Sequence, residues 1–292
     1  MKKFLNAVDS MLHESLRGFA HAHRDIVTAD DGYRFIARAE PAQGKVALVS
    51  GGGSGHEPLH LGFVGYGMLD AACPGQIFTS PTPDQMMAAA DAVDTGAGVL
   101  FVVKNYEGDV MNFSMAAEML GDRAAMLLTD DDVAVETSAF STGRRGVAGT
   151  LVVEKVLGAA AERGDDLPQL LSLGARVNAV TRTMGVALTS CTVPAVGRPT
   201  FELSDDEMEV GVGIHGEPGR RRVPLMPADA IAGELVSALV EDLEAQAGSE
   251  VLLLLNVSAL LRRRNCISCT TPLGAGSASM VSRLRAVWSA SS

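Results

Sequence analysis

Apolar positions recur along the chain at two spacings, and the switches between them divide it into alternating elements. Residues 6–20 carry Val8, Leu12, Leu16 and Phe19 on one helical face. Residues 45–50 read as a buried strand that ends in Gly51-Gly52-Gly53-Ser54-Gly55-His56-Glu57-Pro58. A helix is predicted over 82–93, begun by Pro83-Asp84, then a strand over 98–103 with an exit loop over 104–109. A helix over 112–120, a strand over 125–128, an acidic turn at Asp130-Asp131-Asp132 and helices over 149–163 and 167–177 follow. Further on, strands are predicted at 184–188, 207–215 and 251–255, with a helix over 231–243. Strand, loop and helix in repetition predict an α/β protein: two α/β lobes on mainly parallel sheets. Residues 1–182 make the first lobe and 183–256 the second, which is truncated, and 257–292 form a tail of different character. Ligands of such sheets bind at the carboxyl ends of strands, so the Gly-rich turn after Ser50 and the loop after Val103 are expected to face one crevice.

Composition narrows the function classes. Hydrophobic residues make up 47% and charged ones 20% of the 292 residues, which excludes disorder. Aromatics are only 4% while Ala, Val, Leu and Gly abound, which suits helices packed closely on a sheet. A formal net charge of −11 argues against nucleic acid as a partner. The cluster Arg220-Arg221-Arg222 reads as a solvated loop, with a docking patch for an acidic partner as the sharper alternative. Four cysteines are no disulfide framework, and Cys266 and Cys269 form a lone CxxC without a second ligand pair, so no metal is expected there. The opening MKKFLNAVDSMLHE is interrupted by acids and no long apolar window follows, so a cytoplasmic protein with neither leader nor membrane span is expected.

Two histidines stand in matched glycine-flanked settings at apparent strand ends. They are His56 in Ser-Gly-His-Glu-Pro and His215 in Ile-His-Gly-Glu-Pro-Gly. Glycine lets backbone approach a ligand and proline stiffens the exit, so each is either a site residue or a hydrogen-bonded loop residue. His13, His21, His23 and His60 lack that setting and read as surface or packing residues. Asp109 is a candidate general base, with a helix N-cap as the plainer alternative. Lys104 either steadies developing negative charge or is solvated, and Asp130-Asp131-Asp132 is either a solvated turn or a Mg²⁺ chelator. No nucleotide cradle is found. The stretch GGGSGHEP lacks the Gly-Lys-Ser/Thr ending of a phosphate loop, and the GxGxxG at 211–216 runs into Pro218-Gly219 where a helix should begin.

Several stretches together resemble the DhaK family, the substrate-binding subunits of dihydroxyacetone (glycerone) kinases. They are 50–58, 72–75, 78–84, 104–106 with Gly108-Asp109, 130–135, 143–147, 191–194 and 209–219, collinear from Met1 to about Asn256. The resemblance implies a transferase in which His215 forms a covalent hemiaminal with the ketone carbon of dihydroxyacetone. Asp109 corresponds to the base for the reacting hydroxyl and His56 to the partner of the carbonyl-derived oxygen. Gly53, through its backbone, Ser80 and Lys104 correspond to substrate-contacting positions. It also implies a homodimer that binds no cofactor itself. A separate DhaL-type subunit holds ATP or ADP with Mg²⁺, and in some systems a DhaM-type phosphocarrier recharges that nucleotide. The alternatives left open are a kinase subunit for another ketose such as erythrulose, a ligand-sensing transcriptional coactivator, and an inactive truncated product.

After Asn256 the family pattern stops and the chain reads VSALLRRRNCISCTTPLGAGSASMVSRLRAVWSASS. A one-base slip of the reading frame accounts for the change. Such a tail is expected to leave the strand at 251–255 short of neighbours and to weaken the second lobe.

Overall fold

The computed structural model describes residues 4–135, 143–190, 192–217 and 219–256, together with the backbone of 281–288. Cys191, Pro218, the Cys266–Cys269 pair and most of the tail lie outside these residues. The main sheet has six strands: β1 (Val27–Ala29), β2 (Ile36–Arg38), β3 (Ala47–Ser54), β4 (Ala71–Ile77), β5 (Val99–Lys104) and β6 (Ala124–Thr129). They lie in the order β1-β2-β4-β3-β5-β6. Pairings among β3, β4, β5 and β6 are parallel, while β1 and β2 continue the sheet antiparallel at one edge. The mainly parallel α/β core is thus as expected.

Alternation along the central strands sends successive side chains to opposite faces. Leu48, Leu100, Val102 and Leu127 meet α1 (Met11–Ala22), α4 (Gly149–Glu162) and α5 (Leu167–Ala179) through Leu16, Val153, Leu157 and Leu170. Ala47, Val49, Phe101 and Val103 meet α2 (Pro83–Val93) and α3 (Glu107–Leu120) through Met86, Ala90, Phe113 and Ala116. Both α2 and α5 have proline in the first turn, and in α5 the Asp166 carboxylate accepts from Gln169 N–H while Gln169 Oε1 accepts from Asp166 N–H, at 2.9 and 2.8 Å.

The glycine run after Ser50 is not a turn. β3 continues through Gly51, Gly52 and Gly53 to Ser54, and the chain leaves the sheet only afterwards. These positions are glycine because of what lies against them. A Cβ on Gly51 would stand 2.5 Å from the Cys73 carbonyl oxygen, one on Gly52 would collide with Lys104 Nζ, and one on Gly53 would stand 2.5 Å from Thr79 N.

Farther along the chain β7 (Val186–Ala187), β8 (Glu207–Val210) and β9 (Arg221–Pro224) form a three-stranded sheet whose pairings are both antiparallel. Only residues 211–220 join β8 to β9, too few for the crossover that parallel pairing needs. The predicted strand over 207–215 stops at Val210 because Gly211 takes φ +78°. The arginine cluster is solvent-exposed as expected, but Arg221 and Arg222 begin β9 rather than lying in a loop. Arg220 donates to the carbonyls of Val133 and Ala134 at 2.6 and 2.9 Å, Arg221 pairs with Glu234 and Arg222 with Glu209. The sequence then forms α6 (Ala228–Asp242) and β10 (Ser249–Leu255), which pairs in parallel with β11 (Val281–Trp288) as a sheet of two. Asp242 accepts from Arg144 at 2.8 and 2.5 Å and also from Arg182, tying α6 to the segments that flank α4 and α5. No helix among the described residues is long and apolar enough to cross a membrane.

Candidate functional site

The carboxyl ends of β3, β4 and β5 open on one side of the sheet, and β3 has β4 on one flank and β5 on the other. The connections to those neighbours run in opposite directions, which leaves a crevice beyond the strand ends. His56 follows β3, Phe78 follows β4, and Lys104 ends β5. The hairpin between β8 and β9 comes over this crevice and delivers His215. Its ring lies 4.8 Å from that of His56, 4.7 Å from Tyr106 and 5.6 Å from Phe78, each edge to face, while His56 stacks on Phe78 at 4.8 Å. Phe78 has φ +55°, a costly conformation for a bulky residue, and it presses on Gly53 and Gly55.

The structure therefore brings together the two histidines that the matched motifs single out. It also gathers the other candidates around them. Lys104 is 1% exposed, so the solvated reading of this residue is overturned. Its ammonium donates to Gly51 O at 3.1 Å and stands 3.7 Å from Asp109 Oδ2. Asp109 belongs to the first turn of α3 and not to a loop, and the cap position is taken by Tyr106, so Asp109 is not the N-cap. A carboxylate in that turn sits where the helix dipole favours negative charge. Gly108 places the backbone next to Ser80, whose Cβ is 3.5 Å from where a Gly108 Cβ would lie. Gly53 backs onto Phe78 and Thr79, two residues from Ser80.

Glu217 was not singled out from the sequence, although the HxE spacing held the signal. Its Oε1 accepts from His215 Nδ1 at 2.9 Å, and its Oε2 accepts from His215 N–H at 2.9 Å. Burial pushes its carboxyl up, but the bonds from His215 outweigh this and hold it below the ordinary range. Burial, reinforced by His215, Lys104 and His60, holds the His56 imidazole well below its ordinary value. Two polar atoms at the site, His56 Nε2 and Tyr106 Oη, are buried with no hydrogen-bond partner among the described residues. They are free to meet a bound polar molecule.

Of the acidic triplet, Asp130 is exposed, while Asp131 and Asp132 are buried and structural. Asp131 accepts from Val147 N, Gly149 N and Thr183 Oγ1 at 2.9, 2.8 and 2.8 Å, and Asp132 pairs with Arg145 at 2.6 Å. Arg145, fully buried, also donates to Gly211 O at 2.8 Å, below the His215 hairpin.

Nor is His60 a mere packing residue. It lies in a fully enclosed polar chain with Glu154 of α4 and Lys104, its Nδ1 2.6 Å from Glu154 Oε1 and its Nε2 2.8 Å from Lys104 Nζ. Burial pushes the Glu154 carboxyl up to about 8, against the opposing pull of Lys104 and Ser50. The sign of the pH dependence follows. Between pH 6.5 and 8, above the ordinary imidazole value, the unfolded chain has lost the Glu154 proton that the folded chain keeps. Stability is expected to fall with rising pH across that window, by up to about 1.4 kcal/mol per unit. Denaturant unfolding at several pH values measures it, and a wild-type slope equal to that of Glu154→Gln would contradict the assignment.

Known proteins resemble this chain over most of its length. A family model described as the Dak1 domain matches residues 17–264. The chain is 52% identical to the PTS-dependent dihydroxyacetone kinase 1, dihydroxyacetone-binding subunit DhaK, of Listeria innocua over 88% of this chain and 79% of that protein. Among solved structures, the dihydroxyacetone kinase from C. freundii in complex with AMP-PNP and Mg²⁺ superposes with a TM-score of 0.87 at 32% identity, covering 97% of this chain and 53% of that one. The dihydroxyacetone kinase operon co-activator DhaQ superposes at 0.85 with 31% identity, over 94% of this chain and 86% of that one.

Proposed function

Because the chain belongs to the Dak1 domain family, we propose that it is the dihydroxyacetone-binding subunit of a dihydroxyacetone kinase and holds the ketose covalently for phosphorylation by a partner. The observation that carries this reading is His215 held by Glu217 against His56. With Glu217 accepting the Nδ1 proton, the lone pair of His215 lies on Nε2, and a neutral imidazole is nucleophilic there. Nε2 adds to the ketone carbon and the carbonyl π pair moves to oxygen. The ring becomes cationic as the bond forms, and Glu217 offsets that charge and receives the Nδ1 proton. The new alkoxide takes a proton from His56, which burial keeps neutral, and the proton received by Glu217 returns to His56 through solvent, so that no charge is left behind. The net step adds N–H across C=O and gives a hemiaminal. Glycerol has no electrophilic carbon and is rejected.

Capture fixes the terminal hydroxyl in place for the second step. Asp109 takes its proton as the oxygen attacks phosphorus, and Lys104, Ser80 and the Gly53 backbone hold the substrate oxygens. The phosphoryl group would come from ATP held with Mg²⁺ on a DhaL-type subunit; where that subunit keeps the resulting ADP bound, a DhaM-type phosphocarrier would recharge it to ATP. That division of labour is supported by the description of the Listeria innocua relative as a dihydroxyacetone-binding subunit and by the match to just over half of a kinase chain whose complex contains AMP-PNP and Mg²⁺. A cytoplasmic homodimer completes the proposal.

The test is the intact mass of the purified chain after incubation with dihydroxyacetone and borohydride reduction. One added ketose unit, mapped to the peptide containing His215, is expected. Folded protein that gains no mass at saturating ketose would overturn the covalent reading.

A further inference from the structure

We infer that Glu154 and His60 are positioning residues for Lys104, fixing the imidazole tautomer of His60 so that Lys104 has a buried acceptor on the side facing away from the substrate. The inference rests on the functional reading above and extends it to two residues behind the site.

Protons in this chain can be assigned from both ends. An ammonium only donates, so Lys104 Nζ can bond to His60 Nε2 at 2.8 Å only if that nitrogen carries a lone pair. The proton of the neutral ring must then be on Nδ1. Ser50 fits the same arrangement through its contact to Val102. Its hydroxyl proton is directed to Val102 O at 2.6 Å, so Ser50 Oγ, 3.1 Å from His60 Nδ1, is left as an acceptor. Glu154 Oε1, at 2.6 Å, is the second and nearer acceptor for Nδ1–H. The carboxyl proton that Glu154 keeps below about pH 8 lies on Oε2, which leaves Oε1 to accept from Nδ1–H, whereas the other tautomer would point an N–H at the ammonium. Glu154 comes from α4, His60 from the segment after β3, and Lys104 from β5. Three elements are thereby set against one another, with Asp109 of α3 next in line at 3.7 Å from Lys104.

Removing the acceptor should therefore act at a distance. In Glu154→Leu the preference for Nδ1–H weakens, the ring can present Nε2–H to Lys104, and the ammonium loses one partner. In Glu154→Gln the amide oxygen still accepts from Nδ1–H, and function should return although the carboxylate is gone. Imidazole ¹⁵N spectra of the full-length labelled chain without ketose, assigned with His60→Gln, read the tautomer directly. Wild type and Glu154→Gln are expected to show Nδ1 protonated and Nε2 bare, and Glu154→Leu a shift toward the reverse. In parallel, the dihydroxyacetone concentration giving half-maximal adduct should rise roughly tenfold or more in Glu154→Leu, the effect of losing about one charge-assisted hydrogen bond, and recover in Glu154→Gln. A wild-type His60 with the proton on Nε2 overturns the inference even if Glu154→Leu fails to fold. So does a folded Glu154→Leu with unchanged half-saturation. Failure of the functional reading is a separate result, the absence of any adduct on wild type, and leaves the ketose-free spectrum to decide the tautomer.

Discussion

His215→Ala is expected to abolish the dihydroxyacetone adduct outright, whereas Asp109→Asn should keep the adduct and lose about 10²–10⁴-fold in phosphorylation rate. The two histidines and the Lys104–Asp109 pair occupy one crevice, but they are assigned to consecutive events. On the proposed reading, capture uses the lone pair of His215 Nε2 and the Glu217 acceptor at 2.9 Å, and neither depends on Asp109. Phosphoryl transfer requires a base for the hydroxyl, and asparagine keeps the shape of Asp109 without its basicity. Mass spectrometry reads the first event on the isolated chain. A coupled assay with a DhaL-type partner and nucleotide reads the second. An Asp109→Asn variant with wild-type turnover would remove Asp109 from the mechanism, and an adduct on His215→Ala would place the nucleophile elsewhere.

The second large effect is on stability. Arg145→Met is expected to cost about 3–5 kcal/mol, the range for removing one member of a buried ion pair. Arg145 is fully buried against Asp132, with contacts of 2.6 and 2.8 Å, and holds Gly211 O at 2.8 Å. Burial pushes the Asp132 carboxyl up and Arg145 pulls it back, so removing the guanidinium leaves a carboxyl that must either protonate or stand unpaired. Replacing both partners, as in Arg145→Met with Asp132→Leu, should recover part of the loss, because no orphaned charge remains. Urea unfolding of the three variants provides the cycle. A single-variant loss under about 1 kcal/mol would show the pair to be dispensable.

How much of this could be read from the sequence depended on how regular each element is. Strands β3, β5 and β6 are apolar runs and α2, α4 and α5 are strongly patterned, so they were placed to within a few residues. Strands β1 and β2 have three residues each, β4 contains Pro74 and Gly75, and β9 begins with two arginines, so none has the composition of a strand. The glycines of β3 misled for a related reason, since glycine marks a turn and a close approach equally well. His56, His215 and Asp109 were legible because each follows a strand within a distinctive motif. Glu154 and His60 were missed, although the signal for Glu154 was present. It lies with Val153, Leu157 and Ala161 on the apolar stripe of α4, where a carboxylate needs a partner. That partner is some 94 residues away in sequence, and only the fold supplies it.

The hairpin that carries His215 is fastened from beneath, by Arg145 to Gly211 O and by Arg220 to Val133 O and Ala134 O. Its foundation is therefore the segment after β6 rather than β10 and β11. A ketose bonded to His215 and hydrogen-bonded to Lys104 would add a rivet between this hairpin and the end of β5. Ligand at a hundred times its dissociation constant should then raise the unfolding free energy by about 2.7 kcal/mol. The metabolite itself becomes a folding chaperone for its own carrier, so the cellular half-life of the protein is expected to follow the supply of dihydroxyacetone.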